Sequence, residues 1–193
     1  MGTYSTNEFK KGLRIQIDGV PYQMIEMNFR KPGKGTALYE CKLRNLIRGT
    51  VTDKTYRAGQ SVESADVEEF TAQYLYRQGE SFVFMNNDDF EQYELTEEQM
   101  GDAAKFLKEN MDCQVMVWDN QPIAMTPPNH VVVQVEYCEP AAKGNTATNV
   151  SKPVKLETGA EILAPAFINI GDWLRVDTRT GEYVERTKDP DAN

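Results

Sequence analysis

Gly12-Leu13-Arg14-Ile15-Gln16-Ile17-Asp18-Gly19-Val20-Pro21-Tyr22-Gln23-Met24-Ile25-Glu26-Met27-Asn28-Phe29, followed at once by Arg30-Lys31-Pro32-Gly33-Lys34-Gly35-Thr36, decides how the chain reads. Apolar and polar residues alternate over 12–17, Asp18-Gly19 supplies a tight turn, and the β-formers Tyr22, Ile25 and Phe29 carry a second strand. The seven residues that follow hold three cations, two glycines and a proline, which a strand interior does not accept, so 30–36 is a loop. Pro32 fixes φ, Gly33 and Gly35 permit positive φ, and Lys34 stands at the exposed tip. Strands at 37–43 and 50–56, broken at Arg48-Gly49, complete a small first barrel.

At Ser64-Ala65-Asp66 the composition turns from basic to acidic, and a second β series begins with 70–76, a turn at Gln78-Gly79-Glu80, and 81–85. One helix is predicted from Thr96, with Gln99 completing a capping box and Met100, Ala103, Phe106 and Leu107 on one side. A strand at 114–118 and a turn at Asp119-Asn120 precede Thr126-Pro127-Pro128-Asn129, which stops helix and ladder alike. The last segment has a strand at 130–138, a polar stretch to Ser151, strands near Ile162, Phe167 and 173–176, and a hairpin at Thr180-Gly181. The expected organisation is three small β domains, 1–64, 65–129 and 130–193. Five-stranded barrels of the oligonucleotide-binding type suit the second and third, and no repeat between them shows by residue identity.

Charge divides with these units. The 193 residues carry a formal net charge of −9, with 40% hydrophobic and 26% charged residues. Residues 1–64 hold 11 Lys and Arg against 6 Asp and Glu, residues 65–129 hold 3 against 14, and residues 130–193 hold 7 against 10. A basic front beside an acidic middle implies oriented docking on a polyanion, one face attracted and another repelled. Arg30, Lys31, Lys34 and Lys42, with Arg44 and Arg48, point to RNA phosphates. No apolar run reaches the ~20 residues of a bilayer crossing, and the polar first ten residues lead into a strand-like alternation, so neither membrane insertion nor export is expected. The three cysteines, Cys41, Cys113 and Cys138, fit neither a disulfide framework nor a zinc spacing.

Enzymatic readings fail on chemistry. His130 is the sole histidine and has no nucleophile elbow beside it. The acidic run 86–91 lacks the pattern of a calcium loop. Gly33-Lys34-Gly35 lies outside any nucleotide-binding glycine string. The expectation is therefore no enzyme, no metal and no cofactor.

Lys31-Pro32-Gly33-Lys34-Gly35 and Lys42-Leu43-Arg44-Asn45-Leu46 resemble motifs of the bacterial translation elongation factor P family. So, in order, do Tyr74-Leu75-Tyr76, the string from Gly101 to Leu107, Thr126-Pro127-Pro128-Asn129, the string from Leu156 to Ala160 and the string from Asp177 to Tyr183, a likeness running from about residue 3 to 188. The resemblance implies an all-β protein: an SH3-like or KOW-like first domain and two OB-fold domains in an elongated L that imitates tRNA. It implies a cytoplasmic monomer that binds both ribosomal subunits beside peptidyl-tRNA and relieves stalling at consecutive prolines. Lys34 would be extended by a lysine-modifying enzyme of the host, by β-lysylation or a similar reaction. Arg30, Lys31, Pro32, Gly33, Lys34 and Gly35 would meet the tRNA acceptor end and ribosomal RNA.

Gly144-Asn145-Thr146 matches the family's Gly-Asp-Thr loop, which is associated with the exit-site mRNA codon; Asn145 replaces an acceptor-only carboxylate with a mixed donor and acceptor. Ala164-Pro165 and Lys152-Pro153-Val154 are smaller departures from the family pattern. Tyr183 and Arg186 match family positions in the final hairpin and are expected as tRNA contacts, with hairpin packing an equal reading for Tyr183. Two other readings stay open: an elongation factor P-like paralogue, in which the tip usually departs from Lys-Pro-Gly-Lys-Gly, and a non-catalytic RNA-binding OB-fold protein.

Overall fold

The computed structural model describes residues 2–140 and 150–190. Among these residues, three antiparallel sheets form in succession, each from strands close in sequence. The first holds β1 (Thr3–Ser5), β2 (Arg14–Ile17), β3 (Val20–Arg30), β4 (Leu38–Asn45), β5 (Val51–Arg57) and β6 (Ser61–Ser64), in the order β1-β6-β2-β3-β4-β5. Asp18 at φ 51° and Gly19 at φ 73° make the expected turn between β2 and β3, since two consecutive positive φ values match the twist of paired strands. The pairing of β3 with β4 shifts between Met24 and Glu26, which bends the 11-residue strand so that its first half closes the core and its second half runs outward. Phe9, Ile15, Met24, Cys41, Leu43 and Tyr56 fill that core.

The second sheet contains β7 (Val67–Gln78), β8 (Ser81–Asn86), β9 (Gln92–Thr96), β10 (Asp112–Trp118) and β11 (Gln121–Thr126). The third contains β12 (His130–Cys138), β13 (Ser151–Leu156), β14 (Glu161–Pro165), β15 (Trp173–Asp177) and β16 (Glu182–Thr187). Both place their first strand centrally, flanked by the second and third strands on one side and the fourth and fifth on the other. In both, a bulge interrupts the pairing of the first strand with the second, at Tyr74/Tyr76 and at Val135/Tyr137. The third and fifth strands of each lie against one another, curling the sheet toward a barrel. The repeat invisible in residue identities is therefore explicit in the pairing.

Two expectations need correction. The helix predicted from Thr96 to Leu107 is a single α-helical turn, α1 (Glu97–Met100), followed by a 3₁₀ segment over Gly101–Phe106. Thr96 and Gln99 do cap each other, but Gly101 adopts φ 55° and ψ −138°, a conformation that ends an α-helix. The segment no longer shows one common face: Met100 and Leu107 enter the second core, whereas Phe106 enters the third. Phe167, read as part of a strand, lies beyond the end of β14 and is 58% exposed; Pro165 lacks the N–H that further pairing needs. Among the described residues no helix is long and apolar enough to cross a membrane.

The successive sheets meet through built joints. Leu46, Ala65, Val67 and Ile123 form a small buried cluster between the first and second, and Arg14 donates to Val67 O at 2.8 Å and pairs with Glu69 at 2.5 Å. Between the second and third, Phe106 inserts into the third core, while Lys108 pairs with Glu157 at 2.8 Å and sits 4.9 Å from the Trp173 ring centre. Apolar burial supplies most of the adhesion, and the partly exposed ion pairs add little.

Candidate nucleic-acid interface at the tip loop

The outer half of β3 and the start of β4 form a hairpin whose last paired residues are Arg30 and Leu38, leaving Lys31 to Ala37 as the loop. The Ala58 N–H donates to Ala37 O at 2.9 Å, fixing the loop's return to the sheet. Gly35 has φ 118°, open to glycine but strained for other residues. A Cβ there would lie 3.9 Å from Pro32 Cγ, so the requirement is for backbone conformation, not for space. Gly33, expected to share this freedom, has no positive φ. Pro32 is half-buried; Lys31, Gly33, Lys34 and Gly35 are exposed.

The structure sorts the predicted cations. Lys42 pairs with Glu26 at 3.3 Å, and Arg30 approaches Glu40 at 4.0 Å, both at exposed positions where such pairs hold weakly. Asn28 and then Lys42 keep the Glu26 carboxyl below its ordinary range. Lys31 and Lys34 have no ion pair or hydrogen bond among the described residues. The tip loop thus carries two unpaired cations, Arg44 and Arg48 are likewise without an ion pair among the described residues, and the outer sheet face behind the tip mixes signs.

The Cys41 thiol is pushed up to about 11 by burial, and the Tyr56 hydroxyl, buried without a hydrogen-bond partner, to about 12 by burial and then by Cys41. No group of three or more His, Cys, Asp or Glu among the described residues is placed to hold a metal. His130 Nε2 lies 3.8 Å from Asp177 Oδ2 at the start of β12.

The other predicted positions are not gathered at the tip. Gly144, Asn145 and Thr146 lie outside the described residues. Tyr183 is half-buried against the third core, opposite Val176. Arg186 stands 5.7 Å from the Phe167 ring centre and 3.7 Å from an Asp172 carboxylate oxygen. Sequence reading passed over one feature: Tyr56, Phe9, Tyr39 and Phe29 make successive edge-to-face ring contacts from the first core to the base of the tip loop. The alternation that places Phe29 with Met27 on the core-facing side was legible; that the core ends before Phe29 was not.

Comparison with known proteins gives a consistent picture. Residues 5–62 match the family model described as the elongation factor P KOW-like domain, 67–125 the elongation factor P OB domain, and 131–186 the elongation factor P C-terminal domain. Elongation factor P of Rhodopirellula baltica is 52% identical over 186 residues, spanning 96% of this chain and 95% of that protein. Two solved structures share the fold of part of the chain. Eukaryotic translation initiation factor 5A from Methanococcus jannaschii has a TM-score of 0.55 at 20% identity, covering 65% of this chain and 92% of its own. A translation initiation factor of the same family from Naegleria fowleri has a TM-score of 0.52 at 18% identity, covering 65% and 97%.

Proposed function

The chain belongs to the elongation factor P family, a family of translation factors, and from that premise we propose that it binds the ribosome beside peptidyl-tRNA and speeds peptide-bond formation at consecutive prolines. It acts as a cytoplasmic monomer of three units, divided at 64/65 and 129/130, and forms no covalent bond with the substrate. The observation that carries the reading is Lys34: an exposed, unpaired cation in the loop that caps the long β3–β4 hairpin of the basic first unit.

Proline restricts the backbone and is a poor nucleophile, so a chain ending in prolines samples unproductive geometries, and holding the acceptor end in line recovers rate without an acid or base. Lys34, extended by a host enzyme, brings charge-assisted donors to the RNA backbone, with Arg30 and Lys31 behind it. The narrow hairpin and the Pro32 to Gly35 turn keep the approach slim. Gly144-Asn145-Thr146 addresses the exit-site codon, and Arg186, half exposed, is the residue of the last hairpin offered to tRNA. Net negative charge over 65–129 turns that unit from ribosomal RNA and orients the whole. A general single-strand RNA binder fits less well, because the exposed Phe90 of the second unit stands between Asp89 and Glu91, where phosphates are repelled.

Replacing Lys34 by Ala is expected to leave the melting temperature unchanged and to reduce synthesis across consecutive prolines, in a reconstituted translation assay, to the level seen without the factor. Undiminished stimulation by that variant rejects the role. Intact mass of the protein from its native host reads out the extension on Lys34.

A further inference from the structure

Phe29 is 55% exposed, although it lies on the core-facing side of its strand. Behind it the ring contacts run inward: Phe29 to Tyr39 at 5.1 Å, Tyr39 to Phe9 at 5.9 Å, and Phe9 to Tyr56 at 5.2 Å, the last two residues only 4% and 5% exposed. The outermost ring of this column thus keeps its edge-to-face contact with Tyr39 while much of its surface faces water. Its surroundings distinguish it from Phe90 and Phe167. Phe90 stands among carboxylates, and the Phe167 ring is already faced by Arg186. Phe29 instead precedes Arg30, Lys31 and Lys34, with Glu40 as the acidic neighbour paired to Arg30.

An aromatic ring beside several cations matches an unpaired nucleobase: the ring takes the base, and the cations take the adjoining phosphates. We infer that Phe29 is a stacking platform for one unpaired base of the RNA that faces the tip loop, and so a positioning residue for the acceptor end. The inference rests on the proposed approach of the tip to RNA and adds a second anchor, independent of Lys34 and of its extension. A stack at the hairpin's base and a cation at its apex would together fix the direction of the RNA strand, which neither contact fixes alone.

The test measures binding to ribosomes carrying peptidyl-tRNA that ends in prolines. Phe29→Leu, which keeps an apolar side chain but removes the ring, is expected to weaken binding by about 5- to 150-fold, the range for loss of one base–aromatic stack. Phe29→Trp and Phe29→Tyr are expected to restore it, with melting temperatures unchanged throughout. Equal binding by the Leu and Trp variants overturns the inference. A benzophenone amino acid at position 29 reports the occupant: photocrosslinks to RNA support the platform, and crosslinks only to ribosomal protein reject it. Normal binding by Phe29→Leu beside a defective Lys34→Ala removes the stacking platform alone, whereas a wild-type protein that fails to bind these ribosomes removes both readings.

Discussion

Two hairpins of this molecule carry a cation next to a small-residue turn, and they use it in opposite ways. At Lys34 the charge is unpaired and the loop is held only at its base. At Arg179 the guanidinium is gripped by Asp177, with Nε to Oδ1 at 3.0 Å and Nη2 to Oδ2 at 2.6 Å, and the Arg179 N–H also donates to Oδ1 at 2.9 Å. The neighbouring Thr178 is pinned by its N–H to Asn129 O at 3.0 Å and by its hydroxyl to Pro128 O at 2.6 Å. A Cβ on Gly181 would lie 3.7 Å from Phe106, so this turn also packs onto the joint between the second and third sheets. One hairpin spends its cation on its own architecture; the other keeps it for a partner. Between these two hairpins the difference lies in the availability of the cation, not in its presence.

The comparison breaks most readily at Lys34. Lys34→Ala should abolish proline-specific stimulation while Arg179→Ala leaves it near normal, and the reverse order in the same translation assay would invert the assignment. Next comes loop geometry. Gly35→Ala places a side chain at φ 118° with open space around it, so it adds about 1–3 kcal/mol of backbone strain without a clash. The loop relaxes by shifting Lys34, and stimulation should fall several-fold with little change in melting. Full stimulation by this variant would show that the cation alone suffices.

Arg179→Ala itself should lower the melting temperature slightly and change translational stimulation by less than about two-fold, as expected for a local ion pair whose guanidinium is largely exposed. The smallest effect is in pH. The Arg179 side chain, and then its backbone N–H, hold the Asp177 carboxyl well below the usual carboxylate range. Depression in the folded state means that the clamp contributes fully above the unfolded value of about 3.9, and that the contribution is lost as pH falls from there toward the folded value. Acid unfolding curves of wild type and Arg179→Ala should therefore lie apart near neutrality and converge in strong acid. Parallel curves throughout would remove the clamp.

Much of this was legible before any coordinates. Asp18-Gly19 between alternating strands named the first hairpin, and a proline with two glycines among cations named the tip, because turn chemistry is local. The 96–107 segment was not legible: capping and apolar spacing both favoured a helix, yet Gly101 left the α region and Phe106 was recruited by the neighbouring unit's core. The common topology of the second and third sheets was hidden as well. Pairing order and bulge position are properties of backbone register, which unrelated side chains satisfy equally well.

The sequence by itself determined the β character, the charge gradient and the identity of the protruding lysine, since each follows from residue type and near neighbours along the chain. Tertiary structure alone decided which cations are free, where the first core stops short of Phe29, and which core receives Phe106. Those outcomes depend on groups brought together from distant positions, as when Phe106 enters the core of the third sheet and Thr178 is pinned to Pro128 and Asn129, and one-dimensional spacing carries no record of such meetings.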